Sequence, residues 1–126
     1  MKTAHDLVLE AKKNIQEVTL DEARLEMNAG VLLIDVREPG EFEEGHVPGA
    51  TNIPRGMLEF KMSQDEKLAD RNRPILIYCK TSGRAALSAA ALQSLGYVCV
   101  HSIAGGFDAW CGAGFPTDKP KSLSFE

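Results

Sequence analysis

Two short apolar runs, Val31-Leu32-Leu33-Ile34-Asp35-Val36 and Pro74-Ile75-Leu76-Ile77-Tyr78, constrain this chain more than any other feature. Neither alternates apolar with polar residues, so each reads as a strand covered on both faces. Such strands belong in a parallel sheet with helices on either side. The intervening segments supply helices. Ala4, Leu7, Val8 and Ala11 fall at helical spacing within residues 4–13. Thr19-Leu20-Asp21-Glu22 has the form of a capping box, opening a helix that runs to about Asn28 and stops at Gly30. Residues 41–44 read as one helical turn and residues 57–69 as an irregular helical stretch. The clearest helix is 84–95, with Ala85, Leu87, Ala89, Ala91, Leu92 and Leu95 on its apolar face and Gly96 as its stop. Further short extended pieces are expected at 15–18, 50–53 and 97–101, and a short helix opens at Gly105-Gly106. Strands and helices alternate. The expected fold is therefore α/β, with a central, mostly parallel sheet of about five short strands and helices on both faces.

The 126 residues suffice for one core. A net charge of −4 without a basic run argues against nucleic acid as a partner. No stretch approaches the roughly 18 apolar residues that span a bilayer, so no membrane partner is expected. Residues 1–18 lack the apolar core of a secretory signal. Three cysteines, Cys79, Cys99 and Cys111, are too few and too scattered for a disulfide framework, and their odd number leaves a free thiol. A reducing cytoplasm is the simplest compartment for such a chain.

The chemistry concentrates where the second apolar run ends. Cys79-Lys80-Thr81-Ser82-Gly83-Arg84 joins that strand to the clearest helix. In open parallel sheets, ligands sit beyond the carboxyl ends of the strands, which is where Cys79 falls. A short loop curling over a sulfur at a helix start directs N–H groups and the positive end of the helix dipole at it. Such surroundings favour a thiolate. Arg84 is suited to a bidentate contact with an anionic oxygen, whereas Lys80 acts as a point charge at the rim. Arg84 is therefore expected to matter more than Lys80 for an anionic donor. Thr81 and Ser82 offer hydroxyl donors, and Gly83 permits close backbone approach. No histidine lies near Cys79 in sequence, which gives no local support to a cysteine–histidine pairing. No cysteine or histidine pair has zinc-ligand spacing, so no metal is expected.

Three blocks, taken together, resemble the single-domain rhodaneses, a thiosulfate sulfurtransferase-like family. The first runs from Leu33-Ile34-Asp35-Val36-Arg37-Glu38 through His46-Val47-Pro48-Gly49-Ala50 to Asn52-Ile53-Pro54. The second is Tyr78-Cys79-Lys80-Thr81-Ser82-Gly83-Arg84, continued by Leu95-Gly96-Tyr97. The third is Gly105-Gly106-Phe107-Asp108-Ala109-Trp110, followed by Ala113-Gly114-Phe115-Pro116. The resemblance implies a rhodanese-like domain over 19–117; the helical spacing in 4–13 gives a helical extension over 1–18 that lies outside it, and the polar composition from Thr117 onward suggests a frayed tail, taken as 118–126. The resemblance also implies that Cys79 attacks the sulfane sulfur of thiosulfate or a similar donor. A persulfide then passes its sulfur to cyanide, a small thiol or a protein thiol, with no cofactor. Lys80, Thr81, Ser82, Gly83 and Arg84 would bind the substrate. Arg84 follows Cys79 by five positions, one fewer than in phosphatases of related fold, and a tighter loop suits sulfur better than phosphate. The loop departs from the family pattern at Ser82, where a glycine is common, and at Ala85, where a hydroxyl is common.

The remaining candidates read mainly as scaffold. Asp35 and Arg37 are expected to form a buried ion pair or loop anchor, and His46 to pin its own turn. Arg55 is a weaker candidate for the pocket rim. Phe107 and Trp110 are expected to pack a terminal helix on the sheet. Cys99 is expected in the core and Cys111 at the surface. The competing function class is a docking or regulatory module, to which a retained cysteine would be incidental.

Overall fold

The computed structural model describes residues 1–120, which form one five-stranded parallel sheet flanked by helices. In chain order the elements are α1 (Ala4–Lys12), β1 (Gln16–Val18), α2 (Leu20–Asn28), β2 (Leu32–Asp35), α3 (Pro39–Glu44) and β3 (Thr51–Asn52). They continue with α4 (Leu58–Gln64), β4 (Ile75–Tyr78), α5 (Gly83–Ser94), β5 (Val100–Ile103) and α6 (Gly106–Gly112). Single 3₁₀ turns flank α4 at Arg55–Met57 and Glu66–Leu68. The strands lie in the order β1-β5-β4-β2-β3, every pair parallel, so β4 is central.

The unbroken apolarity of β4 has a direct structural use. Ile75 and Ile77, with Cys79 beyond the strand end, face a core shared with Leu58 and Met62 of α4 and Ala85, Ala89 and Leu92 of α5. Leu76 and Tyr78 face the opposite layer, with Ala23 of α2 and Trp110 of α6. Side chains alternate across a strand, so a strand between two helical layers needs apolar residues at every position. Thr19 caps α2 in the expected box: its hydroxyl accepts from the Glu22 amide while the Glu22 carboxylate accepts from the Thr19 amide. A second box, Thr3 with Asp6, opens α1, which packs on α5.

The strand expected at 97–101 lies three residues later at its start and runs over Val100–Ile103. Residues 97 and 98 are diverted. The Tyr97 hydroxyl donates to the Leu68 carbonyl at 2.6 Å, and the Val98 amide donates to the Arg71 carbonyl at 3.1 Å. Buried Ser102 interrupts the apolar signal inside the true strand. The tail is also better fixed than its composition suggests. Asp118 exchanges two backbone hydrogen bonds with His46, each 2.9 Å. The rest of the expected tail beyond residue 120 lies outside the described residues.

Candidate active site

Cys79 is the first residue beyond the central strand and is only 1% exposed. Its Sγ accepts a hydrogen bond from the Ala85 amide in the first turn of α5, at 3.3 Å. Ser82, at the N-cap, offers no side-chain cap. Among the described residues, the amides of Thr81, Ser82, Gly83 and Arg84 donate to no protein acceptor. The loop thus keeps free donors and a helix terminus beside the sulfur, an arrangement suited to developing negative charge.

The loop is held from below by α6. The Phe107 amide donates to the Cys79 carbonyl at 2.8 Å, and the Asp108 amide donates to the Lys80 carbonyl at 3.0 Å. Gly106, at φ +57°, lies directly against the backbone of Cys79, Lys80 and Thr81. Trp110 anchors the same helix, donating from Nε1 to the Pro116 carbonyl at 2.7 Å.

The cations near the loop all have partners. Arg84 does not stand open for a ligand: both terminal nitrogens bind the two Glu41 carboxylate oxygens, at 2.7 and 3.0 Å. The Arg84 hydrogen bonds, opposed by burial, hold the Glu41 carboxyl down to about 2. Its folded value lies below the ordinary 4.5, so this contact stabilises the fold fully above that value and is lost as pH falls through about 2. A carboxyl NMR titration of Glu41 is expected to show a midpoint near 2, moving up in Arg84→Ala; a midpoint at 4.5 in the unaltered protein would mean no such clasp in solution.

Lys80 pairs with Asp108 at 2.9 Å across an exposed rim. Arg37 and Asp35 form the anticipated ion pair, with side chains 5% and 0% exposed and contacts of 2.7 to 3.1 Å. Burial opposes the Arg37 charge, but the hydrogen bonds and charge of Asp35 outweigh it and raise the Arg37 pKa. Arg37 also donates to the Gly45 carbonyl and lies 4.2 Å over the Phe107 ring.

Beside these groups lies a cavity of about 320 Å³, lined by Arg37, Lys80 and Phe107 with Glu41, Glu44, Gly45 and Asp108. Cys79 does not line it, but its neighbour Lys80 does. Of the other loop residues, Thr81 is exposed and Ser82 half-buried. The Ser82 hydroxyl accepts from Lys12 Nζ at 2.8 Å, which ties the end of α1 to the loop. Val8 of the same helix would lie 3.5 Å from a side chain at Gly83.

Sequence reasoning therefore missed Lys12, Glu41 and Asp108, and saw Phe107 only as packing. A charge on a solvated helix face carries no periodic signal, so only chain proximity reveals these pairs. Arg55 instead pairs with Glu59 at 2.7 Å. His46 stacks on Phe42 and bonds its carbonyl, and His101 pairs with Glu26, so neither contacts Cys79. Cys99 is not in the core as expected. It is half-buried and lines a groove of about 500 Å³ at the amino ends of the strands, with Leu25, Val31, Pro74 and His101. It is displaced from the core because the strand begins after it. Cys111 is exposed.

The chain is similar to known proteins over most of its length. The family model described as Rhodanese-like domain matches residues 19–113. The uncharacterized protein YqhL of Bacillus subtilis is 42% identical over 80 residues, 64% of this chain and 60% of that protein, so the match spans less than two thirds of that relative. The thiosulfate sulfurtransferase GlpE of Haemophilus influenzae is 34% identical over 106 residues, 83% of this chain and 96% of that one. Among solved structures, a Rhodopseudomonas palustris protein of unknown function, described as a possible tyrosine phosphatase, superposes with TM-score 0.86 at 31% identity. That match covers 94% of this chain and 96% of the other.

Proposed function

This chain belongs to the rhodanese-like domain family, and on that premise we propose that it is a sulfurtransferase carrying sulfane sulfur as a persulfide on Cys79. The observation that supports this best is the Cys79 sulfur at the end of the central strand, accepting from the Ala85 amide beside a first helical turn with free donors. The thiolate attacks the outer sulfur of thiosulfate or a similar donor. The new S–S bond forms as the donor's own S–S or S–SO₃ bond breaks, and the leaving group departs as a thiolate or sulfite. The terminal persulfide sulfur then passes to cyanide, a small thiol or a protein thiol, regenerating the Cys79 thiolate. No oxidant or cofactor enters this cycle. Lys80, Thr81, Ser82, Gly83 and Arg84 shape the cradle, chiefly through their backbone.

The five-position spacing from Cys79 to Arg84 favours sulfur over phosphate as the bound centre. Glu41 supports the same reading, since it occupies the guanidinium that a phosphoryl group would need. We assign the protein to the reducing cytoplasm, where its free cysteines would remain thiols.

Intact-protein mass spectrometry tests the proposal. After reduction and exposure to a sulfane donor, the protein is expected to gain about one sulfur, roughly 32 Da, and to lose it on adding cyanide. No gain from any donor would favour the docking-module reading instead.

A further inference from the structure

We propose that the cavity beside Cys79 selects a sulfur donor of little net charge, such as a zwitterionic or neutral persulfide, over the thiosulfate dianion, and that Glu41 is the residue that sets this preference. The inference rests on the sulfurtransferase reading and narrows its substrate class.

A cavity wall that attracts a dianion needs cations with unspent charge to offset its carboxylates. Here each cation is already matched. Arg84 gives both ends of its fork to Glu41, Lys80 gives its ammonium to Asp108, and Arg37 gives its guanidinium to Asp35 and the Gly45 carbonyl. Lys12, on the other flank of the loop, bonds Ser82 and lies 4.0 Å from Glu17. Glu44 adds a carboxylate to the cavity wall that pairs with no cation among the described residues. The cavity lining thus carries two cations and three carboxylates. A dianion must either break an ion pair or enter a wall that is already negative on balance. The chain's net charge of −4 acts in the same direction.

The free loop amides do not remove this difficulty. They belong to the loop that carries Cys79, whereas the neighbouring cavity is walled by Glu41, Glu44 and Asp108, the carboxylates that a donor's sulfonate would meet there. A persulfide has no such group. Phe107 and the stem of Arg37 offer an apolar wall to its carbon portion. In its S–SH form the outer sulfur is attacked by the Cys79 thiolate, the donor S–S bond breaks, and the donor leaves as a thiolate that takes a proton from solvent. Cys79 is left as the persulfide.

The test measures initial rates of Cys79 persulfide formation with the full 126-residue chain. The donors are thiosulfate and cysteamine persulfide, each normalised to its rate with free cysteine. The unaltered protein is expected to favour cysteamine persulfide. Its thiosulfate rate should rise with salt between roughly 0.05 and 0.5 M, because screening relieves repulsion. Glu41→Gln releases Arg84 and should raise the thiosulfate-to-persulfide ratio of kcat/KM by about 5- to 10-fold. Asp108→Asn, on the exposed rim, should shift the ratio in the same direction and serves if Glu41→Gln fails to fold. A normalised preference for thiosulfate that weakens with salt would overturn the proposal. So would an unchanged ratio in the variants, which would make Glu41 a clamp without effect on selectivity. If neither donor puts sulfur on Cys79, the sulfurtransferase reading itself falls, a result distinct from either of these.

Discussion

A Cys79→Ser chain is expected to take up no sulfur from any sulfane donor while keeping its fold. Serine is close to cysteine in shape, and its hydroxyl oxygen can still accept from the Ala85 amide that Sγ now engages at 3.3 Å. It differs in the one property the chemistry requires. A hydroxyl near neutral pH is neither ionised nor soft enough to attack sulfane sulfur, and the persulfide that would follow cannot exist on oxygen. Cys111 is exposed and Cys99 half-buried, so both remain available as internal controls. Mass spectrometry should find no donor-dependent gain in the variant, and circular dichroism should superpose on that of the unaltered chain. A full gain in Cys79→Ser would place the sulfur on another cysteine and remove Cys79 from the mechanism.

Gly106→Ala should damage both stability and the candidate site. At φ +57° an L side chain is strained by roughly 1–2 kcal/mol. The added Cβ would also press on the Thr81 carbonyl oxygen and stand 2.5 Å from the Cys79 carbonyl oxygen and 2.9 Å from the Lys80 carbonyl carbon. These are backbone atoms of the loop, already fixed by the amides of Phe107 and Asp108, so no flexible side chain can yield. Overpacking of this kind costs about 1–3 kcal/mol more. The loop must move away, and a displacement near 1 Å at a reacting group commonly lowers rates on the order of 100-fold. Denaturant unfolding is expected to show a loss of about 3 kcal/mol, with persulfide formation slowed in parallel. Gly112 closes the same helix with open space around it, so Gly112→Ala is the matched control and should leave both unchanged. Equal behaviour of the two variants would mean that the close packing of α6 under the loop does not govern the site.

Much of this architecture is legible without coordinates because it is set locally. The buried runs that became β2 and β4, the capping box at Thr19 and the loop from Cys79 into α5 all follow from the order of neighbouring residues. Asp35 and Arg37 are two residues apart, so their pairing needs only a strand end. β5 is less legible, because Tyr97 is apolar enough to suggest a strand yet uses its hydroxyl to bind the segment before β4, while Ser102 lies buried within the true strand.

The sequence by itself determined a parallel α/β sheet, a cysteine at the carboxyl end of a central strand and a helix start beside its sulfur, because periodicity and backbone chemistry act over a few residues. Only the tertiary structure decided which charges meet around that cysteine. Glu41 reaches Arg84, Asp108 reaches Lys80, and Lys12 reaches Ser82 across separations of 43, 28 and 70 residues. The charged side chains in these pairs stand on or beside helices with water as an equally good alternative partner. What pairs them is the convergence of α1, α3 and α6 on one loop, and with it the charge that an incoming sulfur donor would meet.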